Sequence, residues 1–259
     1  MNLSKDEVVV LYSGGSDSTL AAALMCKRFR KVHLLTCRTS PMYSLEKSKA
    51  NARLLRRKFG NNKVIHKFLD TDEIFKTIYR GNYLGDIQKY GTYVSACVCA
   101  ACSLSWHVRA IIYDIENDIH FTCDGERYEK TPIWAEQMEP VLEMVRGFYK
   151  EYGIIYENPV YRIVRTDWKL FELGITEEKD VKLEGYAYDE RGFSEDPRGH
   201  WKRTQPNCHG GVIGAMYLSC YFLPLYGQEA NEKIAIEYYT EKINLCREYL
   251  QRRLGMPRG

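Results

Sequence analysis

The stretch "VVVLYSGGSDSTLAAALM", residues 8–25, decides which fold the sequence predicts. A run of apolar residues typical of a buried parallel strand leads into Ser-Gly-Gly, and an aspartate and a helix pattern follow. A turn that only reversed the chain would need neither two adjacent glycines nor an acid at the start of a helix. We therefore expect this turn to bind a ligand.

The residue types in the turn suit a phosphate group. Gly14 and Gly15 have no side chains, so backbone N–H groups can approach an anion, and the helix predicted from Ser18 adds a partial positive charge. Ser13 and Ser18 can donate hydroxyl hydrogen bonds, and Asp17 suits Mg²⁺, which prefers oxygen ligands. The Walker spacing and its lysine are absent. The alternative is a tight turn in which Asp17 or Ser18 only caps a helix.

The surrounding pattern predicts an α/β protein with a parallel twisted sheet covered by helices on both faces. Strand and helix patterns alternate through residue 70, and a fourth strand, "IHFTCDG", ends in a glycine turn. Further helices are predicted at 103–117, 139–153 and 165–176, a short strand at 157–163, and an irregular loop at 185–211. Residues 1–183 are expected to form an ATP-binding α/β domain. Residues 184–259, the loop and the C-terminal helices, are expected to pack on the same domain.

Bulk composition indicates a globular protein of the cytoplasm. The chain has 259 residues, 45% of them hydrophobic and 27% charged, and a net charge of +3, too mild to argue for nucleic acid by itself. The N-terminus shows no signal-peptide pattern. The longest apolar run, 211–227, is shorter than a membrane span and contains Pro224, so we predict a buried helix and no membrane association.

Cysteines are the compositional anomaly. Nine are present, and three of them fall within residues 97–102. Cys99 and Cys102 form a C-x-x-C that the pattern places at the start of a helix, where a metal centre, a redox dithiol and coincidence are all open. Cys208 lies in "TQPNCHGG", a glycine-flanked stretch where core packing is a poor explanation. Cys26, Cys220 and Cys246 fit apolar helices, as small hydrophobic residues.

The hexapeptide S-G-G-S-D-S, with a strand before it and a helix after it, resembles the PP-loop signature of the N-type ATP pyrophosphatases, which have the adenine nucleotide alpha hydrolase-like (HUP) fold. The resemblance implies that ATP and Mg²⁺ bind, that AMP is transferred to a substrate oxygen and that pyrophosphate leaves. It assigns the phosphates to Ser13, Gly14, Gly15, Asp17 and Ser18, with Asp17 also catalytic. It places adenine near Cys37 and Arg38, and Gly125 of "CDGERYE" near the nucleotide, with roles for Asp124 and Glu126 left open.

The cysteine layout is similar to that of the PP-loop tRNA thiolases of the two-thiocytidine and two-thiouridine type. In that family three cysteines hold a [4Fe-4S] cluster, with one iron open to a sulfide nucleophile. The carry-over makes Cys99, Cys102 and Cys208 both metal ligands and catalytic residues. Cys97 departs from the pattern and is an alternate ligand, a fourth ligand or a sulfur-handling residue. As a fourth ligand it would favour tetrahedral Zn²⁺.

The sequence therefore predicts an ATP-dependent, AMP-forming sulfurtransferase that thiolates a nucleobase carbonyl. The base is free or part of tRNA, a sulfur donor is required, and a homodimer is left open. One alternative is a zinc-containing amide- or nitrile-forming ligase of the preQ0 synthase kind, although the C-terminal C-x-x-C-x-x-C of that family is missing. Another, of a different class, is a non-catalytic ATP-binding sensor.

Overall fold

A five-stranded parallel sheet runs through the centre of the protein, as the alternating strand and helix patterns predict. The computed structural model describes residues 6–40, 42–183, 188–189, 192–193 and 207–255. In chain order the strands are β1 (Glu7–Leu11), β2 (Lys31–Arg38), β3 (Met42–Tyr43), β4 (Val64–Asp70), β5 (Phe121–Cys123), β6 (Ile155–Glu157), β7 (Tyr188–Asp189), β8 (Gly192–Phe193) and β9 (Asn207–Cys208). The central sheet has the order β4-β2-β1-β5-β6, and all its pairs are parallel.

Helices follow the strands. They are α1 (Ser16–Arg28), α2 (Ser48–Phe59), α3 (Asp72–Phe75), α4 (Tyr83–Tyr90), α5 (Val94–Asn117), α6 (Glu139–Lys150), α7 (Thr166–Glu172), α8 (His209–Tyr217) and α9 (Leu223–Leu254). Short 3-10 turns cover Leu45–Lys47, Gly91–Tyr93 and Ala135–Gln137, and π-helical turns cover Lys76–Arg80 and Leu218–Phe222. Helix α2 stops where the sequence predicts, because Gly60 adopts φ +100° directly after it.

Two hydrophobic cores cover the two faces of the sheet. Successive residues of a strand point to opposite faces, so Val8 and Val10 pack with α1 and α2, whereas Val9 and Leu11 pack with α5, α6 and α9. The predicted fold class, a parallel sheet between helical layers with a helical C-terminal region, is confirmed. The chain reverses its order of strand addition between β4 and β5. In open α/β sheets, the carboxyl ends of the strands at such a point form the ligand crevice.

The structure differs from the sequence prediction in three elements. The helix predicted from Ser103 begins earlier, since α5 starts at Val94. The strand predicted at 157–163 lies earlier, at Ile155–Glu157. The apolar run 211–227 is largely helical but buried on one side only. Leu218 and Phe222 lie in the core, whereas Ile213, Met216 and Leu225 are each more than 60% exposed, and Cys220 is also exposed.

The domain boundary and the irregular loop that the sequence predicts near residues 183–211 remain predictions. Most of the predicted loop at 185–211 lies outside the described residues, and so does residue 184, at which the predicted second part of the chain begins.

The segment Tyr83–Asn117 is long and apolar enough to cross a membrane by composition, yet 67% of its most apolar window is buried within the protein. A buried core helix passes the same test, so this segment is explained by packing against the sheet.

Candidate active site

A cavity of about 300 Å³ opens at the carboxyl ends of β1, β2 and β5, where the strand order reverses. The turn after β1 supplies Ser13, Gly15, Asp17 and Ser18 to its wall, and β2 supplies Cys37. The segment after β5 contributes the residues from Asp124 to Arg127. We call this space the nucleotide cavity, because the loop predicted to bind phosphate forms one side of it.

The hydroxyl groups of Ser13 and Ser18 fix the shape of the glycine turn through hydrogen bonds. Gly14 adopts φ +85°, a conformation that favours glycine. The Ser18 hydroxyl accepts from Gly14 N at 3.2 Å and lies 3.1 Å from the Ser13 hydroxyl, and Gly15 is the N-cap of α1. The N–H groups of Gly14 and Gly15 are thus hydrogen-bonded to hydroxyl groups within the turn, and the first residues of the 13-residue helix α1 line the cavity, where a helix amino end favours an anion.

Two contacts fix this turn from behind. Asn51, fully buried in α2, donates to the Gly14 carbonyl at 2.6 Å. Gly125 packs so closely on the start of α1 that a Cβ atom there would lie 2.5 Å from Ser18 N. The resemblance placed Gly125 near the nucleotide. In the structure, glycine is required at position 125 because the backbone there packs directly against the glycine turn, which we also call the phosphate turn. The sequence analysis missed Asn51, for which the only signal is a polar residue on the apolar face of α2.

Asp17 and Cys37 line the nucleotide cavity, but Arg38 does not. The Asp17 carboxylate lies 4.0 Å from the Arg127 guanidinium, which also lines the cavity. Cys37 is buried, and burial raises the pKa of its thiol to about 12, so it offers an apolar surface rather than a nucleophile. The Arg38 side chain is exposed, and its Nε lies 3.9 Å from Oδ2 of Asp70.

Two carboxyl groups, those of Asp124 and Glu126, line the nucleotide cavity together with the glycine turn. Asp124 is buried, accepts from the Tyr156 hydroxyl, and accepts from Asn158 Nδ2 at 2.8 Å. Its Oδ1 also accepts from the backbone N–H of Glu126 at 3.0 Å, which fixes the backbone from which the Glu126 side chain extends. Burial, and after it the charges of Asp124, Glu136 and Asp17, raises the pKa of Glu126 well above its usual range.

A second cavity, of about 310 Å³, brings together the three cysteines that the thiolase resemblance selected. Cys99 and Cys102 reach it from α5, and Cys208 reaches it from the start of α8. Cys208 is positioned by pairing of β9 with β3, where it lies opposite Met42, and its Sγ accepts from Gly211 N at 3.3 Å. We call this space the cysteine cavity. Its remaining wall includes Trp134 and Glu136.

The structure places these cysteines at other positions relative to the helices than the sequence predicts. Cys99 and Cys102 lie inside α5, two turns after its start, so the expected stabilisation of their thiolates by a helix N-terminus is wrong. Cys208, predicted in a loop, is the N-cap residue of α8. Helical geometry separates Cys97 from the pair, since a step of two residues turns the side chain to the opposite face. Cys97 lines a different, nearly filled pocket beside Tyr93 and Tyr238.

Burial keeps the thiols of Cys99 and Cys102 in their protonated form. Burial raises the pKa of Cys99, and the nearby Glu136 carboxyl and Cys208 raise it further. Burial likewise raises the pKa of Cys102. A redox dithiol works through a thiolate with a lowered pKa, so these shifts disfavour that alternative. Metal binding, in contrast, supplies the charge that deprotonates a thiol.

The nucleotide cavity and the cysteine cavity are neighbours with a common wall. Met42, Ser103, Trp106 and Glu126 line both of them. Trp106 and Glu136 were not singled out from the sequence, which carries no signal for either. Over the ranges that the structure describes, no three His, Cys, Asp or Glu side chains are arranged to hold a metal ion. The arrangement thus joins a phosphate turn to a group of thiols without a preformed single-ion site.

Comparisons with known proteins give a family without an assigned function and two distant folds. The family of unknown function DUF7411 matches residues 6–89, less than half of the chain. The predicted subunit of tRNA methyltransferase from Methanocaldococcus jannaschii is 18% identical, with a TM-score of 0.41 over 78% of this chain and 96% of its own. NMN synthetase from Francisella tularensis is 13% identical, with a TM-score of 0.39 over 94% of this chain and 87% of its own. No curated protein matches the sequence.

Proposed function

We propose that the protein is an ATP-dependent, AMP-forming sulfurtransferase that replaces a nucleobase carbonyl oxygen with sulfur. The observation that carries this proposal is the common wall between the nucleotide cavity and the cysteine cavity. A substrate at that wall reaches both the α-phosphate of ATP and the sulfur-handling thiols. The base is free or part of tRNA, and the reducing cytoplasm would keep the thiols available.

The first half of the reaction belongs to the phosphate turn. The carbonyl oxygen attacks the α-phosphorus, the bond from that phosphorus to the bridging oxygen breaks, and pyrophosphate leaves. Backbone N–H groups at Gly14 and Gly15, with the Ser13 and Ser18 hydroxyls, would bind the phosphates. Asp17 would hold Mg²⁺, which neutralises the charge that develops on the leaving pyrophosphate.

The second half belongs to the cysteine cavity. A hydrosulfide equivalent from a sulfur donor attacks the activated carbon, the C–O bond breaks, AMP leaves with the former carbonyl oxygen, and the hydrosulfide proton is released. Cys99, Cys102 and Cys208 would hold a [4Fe-4S] cluster, for which three soft thiols in one cavity are a suitable donor set. Such a cluster, when bound, supplies thiophilic iron for handling sulfide. Cys97 lies outside this donor set, which favours a cluster over a four-cysteine zinc site.

The phosphate half is tested with Asp17→Asn. We expect the variant to fold and to bind ATP, but to lose the Mg²⁺-dependent release of pyrophosphate and AMP in the presence of a uridine-containing acceptor and sulfide. Asp6→Asn, which changes an exposed aspartate before β1, is the matched control and should retain the wild-type rate. Wild-type release of pyrophosphate by Asp17→Asn, or release of ADP and phosphate by either protein, would contradict the proposal.

The thiol half is tested by anaerobic reconstitution with iron and sulfide. We expect about four iron atoms per chain, the content of a cubane cluster. Alanine at Cys99, Cys102 or Cys208 should remove most of the bound iron and spare ATP binding, whereas Cys97→Ala should retain the iron. Zinc bound in wild-type protein and lost in Cys97→Ala would instead support the ligase alternative.

A further inference from the structure

The common wall of the two cavities also contains groups suited to reading a base. If the proposed function holds, the reacting carbonyl has to reach the nucleotide cavity and the cysteine cavity in turn, so the substrate lies against residues that line both. Met42 and Ser103 are two of these residues. The other two, Trp106 and Glu126, offer a flat aromatic ring and a carboxyl group.

Trp106 is held in a fixed orientation. Its indole Nε1–H donates to the Thr39 hydroxyl at 2.9 Å, and Thr39 is itself fully buried at the end of β2. With its Nε1–H hydrogen-bonded in this way, the partly buried indole lines both cavities. Stacking on an aromatic face contributes to binding whichever base is present, because every base has a π-face.

Glu126 supplies the polar group. Its backbone N–H donates to Asp124, and its carboxyl group forms no hydrogen bond or ion pair with the described residues. Burial, and after it the charges of Asp124, Glu136 and Asp17, raises the pKa of the Glu126 carboxyl group well above its usual range. Arg127, the adjacent cation, is engaged with Asp17 and Glu129. A carboxyl group kept neutral in this way carries a hydroxyl donor beside a carbonyl acceptor.

We propose that Trp106 and Glu126 bind an unpaired nucleobase, with the indole stacked on the ring and the carboxyl paired to the Watson–Crick edge. This proposal rests on the proposed function and adds to it the edge of the base that is recognised. On uracil, the carboxyl group accepts from the ring N3–H and donates to one neighbouring carbonyl, which leaves the other carbonyl to face the phosphate. A base already paired in a duplex has this edge occupied and is excluded.

The probes are uridine and 3-methyluridine, which differ by a methyl group that blocks N3. Binding is measured by ligand-observed NMR titration, with the nucleotide cavity saturated by a non-hydrolysable ATP analogue. The wild-type protein should bind uridine about tenfold or more tightly than 3-methyluridine, the effect of two neutral hydrogen bonds. Absence of saturable uridine binding, or equal affinity for the two nucleosides, overturns the proposal.

Substitutions separate the roles of the two residues. Glu126→Gln keeps a donor beside an acceptor and should keep the preference for uridine, whereas Glu126→Leu should bind both nucleosides equally weakly. Trp106→Leu should weaken both by about tenfold and keep the preference. Glu248→Leu changes an exposed glutamate of α9 that lines neither cavity, and this control variant should retain the wild-type preference. Loss of the preference in Glu126→Gln would show that an ionised carboxylate is needed and would overturn the proposal.

These outcomes are independent of the sulfurtransferase test. A preference for uridine that follows Glu126 while no pyrophosphate is released would reject the proposed reaction and retain the base site. Pyrophosphate release together with equal binding of the two nucleosides would reject the base site alone. Bound ATP analogue in every variant shows that the variant is folded.

Discussion

At the scale of a single residue, His107 shows how burial keeps a histidine side chain neutral. Its ring is 4% exposed in the wall of the nucleotide cavity, and Nδ1 lies 3.1 Å from the Tyr149 hydroxyl. The rings of Tyr149 and Tyr156 contact it edge-on. Burial alone lowers the pKa of His107 to about 3. The imidazole is therefore neutral near pH 7 and acts there as part of the packing.

The lowered pKa of His107 predicts a pH dependence of stability. An unfolded histidine titrates near pH 6.5, so on acidification the unfolded chain binds a proton before the folded protein does. The free energy of unfolding should therefore fall between pH 7 and pH 5, with about 2 kcal/mol of the loss due to this residue. His107→Gln removes that contribution. Urea unfolding at the two pH values should show a smaller loss for the variant than for the wild type.

A matched control keeps this prediction specific. Gln88 is an exposed residue of α4 whose side chain does not titrate, so Gln88→Ala should lose as much stability on acidification as the wild type. Buried carboxyl groups such as Asp114 and Asp124 have raised pKa values and act in the opposite sense, which is why the comparison is made between variants. Equal losses in wild type and His107→Gln would contradict the assigned pKa.

At the scale of elements, periodicity predicted the sheet and missed the start of α5. Continuous apolar runs gave β1 and β2, and the helices after them follow from capping and charge patterns. The sequence at 79–96 is rich in tyrosine and glycine, and this composition is not typical of a helix because glycine is a poor helix former. The helix nevertheless begins at Val94, since α8 and α9 pack along it and tertiary contacts outweigh local propensity. The position of the cysteines within a helix could therefore not be read locally.

The contact between Gly125 and α1 predicts the cost of adding one carbon atom. In Gly125→Ala the new Cβ would lie 2.5 Å from Ser18 N and 2.7 Å from Ser18 Cα, both backbone atoms that cannot yield without moving the phosphate turn. We expect ATP affinity to fall by tenfold or more and the free energy of unfolding to fall by about 1–3 kcal/mol, the range for overpacking. Calorimetric ATP titration and urea unfolding measure the two effects.

Gly147→Ala is the control for this substitution. Gly147 lies on the exposed side of α6, and a Cβ there meets nothing within 4 Å. Alanine at this helix interior should stabilise the protein by about 0.5–1 kcal/mol and leave ATP affinity unchanged. Wild-type ATP affinity in Gly125→Ala would show that the turn tolerates displacement and that the close approach has no part in nucleotide binding.

At the scale of the whole molecule, the candidate site assembles from regions far apart in the chain. The phosphate turn follows β1, Cys99 and Cys102 come from α5, and Cys208 arrives 106 positions after Cys102 through its pairing with β3. A motif predicted the turn because its chemistry is local. The meeting of the three thiols was proposed from a family resemblance alone, and the common wall had no signal because Trp106 and Glu126 become neighbours only through the fold.

A buried ion pair ties the C-terminal helix to this assembly. Lys242 of α9 is fully buried, and its Nζ lies 2.6 Å from Oδ1 of Asp86 in α4, which is also buried. Lys242 Nζ also lies 3.0 Å from Oε1 of Glu241, and Lys89 and Tyr90 contact Glu241 from α4. Charges removed from water in this way stabilise a structure only as a pair, because either one alone is left in an apolar setting.

Breaking this pair should therefore cost more than replacing it. Asp86→Leu leaves the Lys242 ammonium buried without its main partner, and Lys242→Met does the same to the Asp86 carboxylate, so each single variant should lower the free energy of unfolding by about 3–5 kcal/mol. The double variant Asp86→Leu, Lys242→Met replaces both charges by apolar groups of similar size and should recover most of that loss. Urea unfolding of the wild type, both single variants and the double variant measures the coupling. Additive losses in the double variant would mean that the two side chains stabilise α4 and α9 independently, with no role for their pairing.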